Sequence, residues 1–272
     1  MDKRLLFCMN WLALEDLPEF SAGPRTTDST ARLHAIRDAG YGGVQFIAPL
    51  TAEQDRAAAD LNLWRCSSGR VNHPSDVKEL VDRCRGEGQN CATLHVGWGI
   101  EEDNEAHALI EAILEASAPS LPLYVETHRA TLFQDMWRTV QFIRRYPDLR
   151  FNGDFSHWYT GQEMVYGGFE NKLAFIRPVI ERVRFIHGRI GNPGCIQVAL
   201  PRPGEPEPLY VSHFRTLWSA SFEAFQQQAE TNVIPFVPEL LSPSIYYGRH
   251  GESDRWTDSL QMLMIARDCF PI

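Results

Sequence analysis

Cysteines spaced as metal-ligand pairs are absent: the six, at positions 8, 66, 84, 91, 195 and 269, are scattered with no C-x-x-C among them. That pattern indicates neither a zinc finger nor a disulfide framework, and a reducing cytoplasm is the compartment it predicts. Positive charge is also scarce. Lys and Arg number 26 against 35 Asp and Glu, a net charge of -9, which is the wrong sign for a surface that tracks phosphates, so no nucleic-acid partner is expected. No apolar run approaches the length of a membrane span, and no membrane partner is expected either. The opening MDKRLLFCMNWLAL has the basic-then-apolar order of a secretory leader. Asn10 interrupts it, however, and Glu15 and Asp16 follow without a small-residue cleavage site, so the stretch reads as a first buried strand. No G-x-G-x-x-G follows any strand-like segment, which removes the usual dinucleotide fingerprint.

What is present is a globular composition, 44% hydrophobic and 11% aromatic, with no segment biased enough to suggest disorder. Short apolar runs alternate with helical patterns throughout. Eight such runs read as strands: Arg4–Asn10, Gly43–Ile47, Leu61–Cys66, Cys91–Val96, Leu123–Glu126, Arg150–Asp154, Arg184–His187 and Ile234–Glu239. Helix starts stand between them, at Thr27 and Asp28, at Thr51 with Gln54 three residues on, and at Pro74 with Ser75. Regular βα alternation predicts parallel strands with a crossover helix each time, hence an α/β fold in which residues 1–272 form one (β/α)8 TIM barrel domain. Two long irregular segments, GRIGNPGCIQVALPRPGEPEPLY after the seventh strand and LLSPSIYYGRHGESDRW after the eighth, then belong to the C-terminal face. That is where barrel active sites are built, so they are expected to form a lid or substrate rim.

The last four strands each close on a polar residue: Glu126 in LYVETH, Asp154 in RFNGDFSH, His187 in RFIHGR and Glu239 in PFVPEL. One such residue alone is commonly a helix cap or an arginine partner. Four on consecutive strands must converge at the top of one half of a barrel, and three carboxylates in a low-dielectric pocket repel unless a cation holds them ionised. Three oxygens and one imidazole suit one divalent ion, Mn²⁺ or Mg²⁺ first and Co²⁺ or Zn²⁺ after them. His128, two residues beyond Glu126, shares its face if the strand continues. Arg189 beyond His187 and His95 at the end of CATLHVG are further pocket candidates. Trp11, Trp98 and Trp158 also follow strand ends; each is either core packing or a platform for a sugar ring.

With Glu126, Asp154 in DFSH, His187 and Glu239 in view, the chain resembles the xylose isomerase-like TIM barrel superfamily, which includes sugar isomerases and epimerases, inosose dehydratases and endonuclease IV. The resemblance spans nearly the whole chain in architecture, through short motifs. In the ketose epimerases it implies that those four residues hold the metal while Glu126 and Glu239 also move the proton. It further implies that His157, the histidine of the Asp-x-x-His motif, touches substrate; Arg189, His128 and His95 are expected to face substrate from their own positions near the strand ends. A metal-dependent sugar isomerase or epimerase acting through an enediolate on a small ketose or related polyol carbonyl is the function it implies, with a carbohydrate substrate and self-association as a further expectation. The alternatives are a lyase of the inosose dehydratase type, an endonuclease IV-like nuclease and a sugar-binding barrel without catalysis. The nuclease needs an additional Asp-x-His pair that GRIGNPGCIQVA lacks. His128 has no counterpart in the epimerase pattern.

Overall fold

In the computed structural model, which describes residues 2–202, 204–248 and 252–271, the apolar runs become eight parallel strands. They are β1 Arg4–Asn10, β2 Gly43–Phe46, β3 Trp64–Val71, β4 Cys91–Val96, β5 Leu123–Glu126, β6 Phe151–Asn152, β7 Val183–Gly188 and β8 Val233–Pro238. Neighbours in sequence are neighbours in the sheet, and β8 returns to β1 with Leu5 opposite Ile234 and Phe7 opposite Phe236, so the barrel closes. The expected (β/α)8 TIM barrel is the fold.

Helices α1 (Ser29–Asp38), α2 (Ala52–Asp60), α3 (Pro74–Gly86), α4 (Asp103–Ala116) and α5 (Met136–Arg145) follow the first five strands. Then come α6 (Ser156–Gly161), α7 (Phe169–Phe175) and α8 (Arg177–Ile180) after β6, α9 (Leu209–Gln228) after β7 and α10 (Arg255–Cys269) after β8. Their starts follow the sequence signals. Asp28 accepts from the Ala31 amide at the head of α1, Thr51 and Gln54 form a reciprocal capping box on α2, and Pro74 opens α3, where its missing N–H costs nothing.

Two strands depart from the pattern. Leu61 caps the C-terminus of α2 and Asn62 turns the chain with a left-handed φ of 51°, so β3 starts at Trp64 rather than Leu61. It then runs past Cys66 because β4 offers a continuous ladder, from Cys66 opposite Cys91 to Val71 opposite Val96. β6 is short, with its register against β7 shifted between Phe151 and Asn152, and Asp154 stands beyond the strand rather than at its end.

Side chains alternate across each strand, which splits the core in two. The outward-facing set packs between barrel and helices. Inside the barrel Leu6, Cys8, Cys66, Cys91, Tyr124, Phe185 and Val237 form a separate apolar floor, where a fully buried Phe contributes roughly 1.5–3 kcal/mol. Burial raises the thiols of Cys8, Cys66 and Cys91 and keeps them protonated, so they act as small hydrophobes. Two residues further along each strand the inward positions turn polar, and that polar layer faces the C-terminal end. Both long loops leave from the same end. Gln197 and Leu241 exchange hydrogen bonds across them, at 3.0 and 2.9 Å. Arg249 and His250 in the second loop, and Pro203 in the first, lie outside the described residues. Among the described residues no helix is long and apolar enough to cross a membrane.

Candidate metal and substrate site

His187 is the centre of the polar layer. Its Nδ1 lies 3.2 Å from Glu126 Oε2 and 3.3 Å from Glu239 Oε2, while its Nε2 is 3.0 Å from Gln45 Oε1. Which nitrogen carries the proton follows from Gln45. Its Oε1 accepts from Asn10 at 3.3 Å and its Nε2 donates to Thr93 at 3.1 Å, which fixes the amide so that His187 Nε2 must be the donor. The Nδ1 lone pair is thereby turned toward the carboxylates.

Asn152 aligns two of these groups at once. Its Nδ2 donates to Glu126 Oε2 at 2.9 Å and its Oδ1 accepts from the His187 amide at 3.0 Å. This use of the side chain sits at the register shift that cuts β6 short. Asp154 is held by the first turn of α6, its Oδ1 accepting from the Ser156 amide at 3.0 Å and hydroxyl at 2.5 Å. Its Oδ2 faces Arg189 at 3.5 Å and His157 at 3.4 Å. Arg189 donates to the Glu239 carboxylate and, through Nε at 2.9 Å, to the Glu239 carbonyl.

Glu126, Asp154, His187 and Glu239 are all buried, and each offers a ligand atom within 4.8 Å of the others. Glu126 belongs to a second such group with His95 and His128. Several of these atoms are close without bonding. Glu126 Oε1 and His95 Nε2 are 3.3 Å apart, yet neither has a hydrogen bond, and Asp154 Oδ2 and His187 Nδ1 are in the same position. Lone pairs that converge without donating to one another surround a shared point. Buried polar atoms left in this state cost about 1–3 kcal/mol each, and a hard divalent cation satisfies oxygen and imidazole donors of this kind. The donor set therefore fits a metal ion, with Arg189 sharing Asp154 and Glu239.

Electrostatics agree with the geometry. Burial alone raises the Glu126 carboxyl, but His187 and His95 beside it carry it well below the usual range. Asp154 is likewise lowered, its burial outweighed by Arg189 and His157. Burial works against the charged form of His187, yet Glu239 and Glu126 raise it to about 10. Two acids thus favour a positive charge at Nδ1, whether proton or metal. His128 is pushed down to about 2 by burial and by His157, so it is a neutral imidazole.

His95, His128 and His157 stack in a row with ring centroids 4.0 and 3.8 Å apart. His95 and His128 are half-buried and border the opening, whereas His157 and Arg189 are buried. Trp158 is core, its Nε1 donating to the Phe133 carbonyl at 3.0 Å, and Trp11 is half-buried against Phe46. Trp98 is 54% exposed at the end of β4. Sequence reasoning missed Asn10, Gln45, Asn152, Arg70, Arg129 and Tyr247. The first three are uncharged amides at or within apolar runs, in FCMN, VQF and RFN, a pattern that turns and strand ends share.

No protein-family model matches the sequence, and no curated protein matches it. Solved structures do. A xylose isomerase-like TIM barrel protein from Mycobacterium smegmatis, in complex with magnesium, superposes with a TM-score of 0.61 at 14% identity over 98% of both chains. A probable 3-DHS dehydratase involved in petrobactin synthesis from Bacillus anthracis gives 0.57 at 12%, covering 95% of this chain and 98% of the other. An uncharacterised protein from Parabacteroides distasonis gives 0.51 at 10%, covering 97% and 99%. The fold is that of the xylose isomerase-like TIM barrels.

Proposed function

We propose that the protein is a divalent-metal-dependent enzyme that moves a proton next to the carbonyl of a small polyhydroxylated compound, as a sugar isomerase or epimerase does. The observation that carries this reading is the convergence of Glu126 and Glu239 on one ring nitrogen of His187, both within 3.3 Å, with Asp154 completing a buried donor set. A divalent ion, Mn²⁺ or Mg²⁺ by its preference for such donors, supplies the charge withdrawal that acidifies a C–H bond beside a carbonyl and stabilises the anion. Glu126, Asp154, His187 and Glu239 would hold it.

The rest falls to this chain's own groups. Glu126 is kept ionised by its neighbours and so accepts a proton from substrate carbon, while Glu239, held by Arg189, returns one. Gln45 and Asn152 keep His187 and Glu126 in register for that exchange. Burial of the carboxylates in the polar layer limits competing water. The lyase alternative needs an acid for a leaving hydroxyl. His128 and His157, both beside the donor set, are the candidates for it.

The test is solvent deuterium incorporation into a panel of ketoses and inososes with metal saturating. Glu126→Gln should retain metal and lose exchange by about 10²–10⁴-fold, as expected when a positioned base is removed. Asp154→Asn should act through weaker metal binding and recover part of its activity at excess metal. Exchange in Glu126→Gln as fast as in wild type defeats the two-glutamate scheme. Release of water from substrate moves the assignment to the lyase.

A further inference from the structure

We infer that the substrate carries one anionic group, a carboxylate or a phosphate, and that Arg70 at the mouth of the site is the residue that selects for it. The inference rests on the metal-dependent reading of the site and adds to it a substrate class.

Arg70 faces the barrel opening by the alternation of β3. Ser67 is turned outward, accepting from Arg83 of α3 at 3.1 Å, and a Cβ on Gly69 would strike Leu80 of the same helix. Cys66 lies in the interior floor. Ser68 and Arg70 share its face, and Arg70 pairs in register with His95, whose Nε2 borders Glu126. The guanidinium is half-buried and built into place. Nη1 donates to the carbonyls of Gly97 at 2.5 Å and Ala130 at 3.2 Å, and the group lies 4.6 Å over the Trp98 ring. One nitrogen is thus occupied by neutral acceptors, and among the described residues the other two make no hydrogen bond. Burial lowers its pKa, with Glu101 and Glu126 opposing. A cation desolvated in this way without a carboxylate on its fork is a ready receptor for an oxyanion.

The charges around the opening give the same answer. Glu101, the acid nearest in effect to Arg70, is already committed, its two oxygens accepting from the amides of Trp98 and Gly99. Arg129 stands on the other flank, donating to the Tyr247 hydroxyl at 3.2 Å, and Arg189 lies under the same ring. Neither Arg70 nor Arg129 has a carboxylate partner among the described residues. Glu126, Asp154, Glu239 and Glu101 are four negative charges facing the three guanidiniums of Arg70, Arg129 and Arg189. A bound divalent ion converts that deficit into a surplus of one positive charge. In a protein whose net charge is -9, a positive surplus at the opening of the candidate site marks what the site receives.

Calorimetry on the full-length, magnesium-loaded protein tests this with three compounds of one carbon skeleton: glucitol, gluconate and glucitol 6-phosphate. At least one anion should bind about tenfold or more tightly than glucitol, and which one does so identifies the group. Arg70→Met should bring that ratio close to one while leaving the magnesium stoichiometry unchanged. Arg70→Lys should restore part of the preference, because charge returns without the fork. Should Arg70→Met fail to fold, the Arg70→Lys ratio and the salt dependence of the wild-type ratio take its place; that ratio should shrink in 0.5 M KCl. Equal affinities for all three compounds, no binding by any of them, or a preference that survives loss of Arg70 overturns the inference. Because binding is read rather than turnover, a protein that prefers the anion yet never exchanges deuterium keeps this inference and loses the proposed reaction.

Discussion

Gln45 shows how much of the site is decided by a residue that touches no ligand atom set of its own. Its amide is locked between Asn10, Thr93 and His187, and only that orientation leaves the His187 Nδ1 lone pair pointing at Glu126 and Glu239. Gln45→Leu should keep the fold and lower metal affinity about 10–100-fold, the usual cost of removing a partner that orients a ligand; chelator competition measures it, and unchanged affinity would show that the tautomer needs no help. Asn152→Ala removes the tether on Glu126 and on the His187 amide together, so its loss should exceed that of a single hydrogen bond. Of these residues the charged ones were legible in the sequence because a carboxylate at the end of an apolar run demands an explanation. The amides were not, since an Asn or Gln after an apolar run is also the ordinary signature of a turn.

At the scale of elements, the strands could be read from the apolar runs because a parallel strand buried on both faces is continuously apolar. β3 could not be read that way. Its later half, Ser67 to Arg70, is polar because one face meets α3 through Ser67 and the other opens on the site, so the run alone ends it five residues too soon. β6 fails in the opposite sense, since Asn152 gives its side chain to its neighbours where the pattern promised a longer ladder. The loop from β4 to α4 carries a separate constraint. Gly99 has φ +84°, and a Cβ there would lie 2.8 Å from the Thr131 carbonyl. Gly99→Ala should therefore cost about 1–3 kcal/mol and displace Trp98 from beside Arg70, seen as a lower denaturation midpoint together with altered tryptophan fluorescence.

In α10, Asp258 is buried, and burial raises it to about 6, with Asp254 and Glu252 adding to the rise against Ser253. Its folded pKa thus exceeds its unfolded one, so the native state holds the extra proton between about pH 4 and pH 6, and this contribution to stability declines as the pH climbs through that window. Asp258→Asn should be more stable than wild type at pH 7.5, by roughly 1–3 kcal/mol, with the advantage gone near pH 4. Thermal melts across that range check it, and an advantage that does not vary with pH would count against the burial explanation.

For the whole molecule, the consequential balance is between a net negative charge and a buried donor set that could hold a cation. With a net charge of -9, duplex DNA carrying an abasic site should show no binding or cleavage at physiological salt; submicromolar affinity in a gel-shift titration would reverse the ranking of functions. Metal binding to the native state alone stabilises by mass action, about 2.7 kcal/mol at a hundredfold excess over Kd. Removing the ion should then lower the melting temperature by several degrees, and a melting temperature indifferent to chelation would argue that the donor set stays empty.

The reciprocal amide bonds between Gln197 and Leu241 have a mechanical meaning. The loops after β7 and β8 are separated in the chain by the whole of α9 and β8, yet they are stitched together where they leave the barrel. Displacing one loop at this point would require breaking both hydrogen bonds or moving the other loop with it. Tyr247, lying across Arg129 and Arg189, belongs to the second of these loops. Gln197 thus ties together two segments that the chain order keeps 44 residues apart.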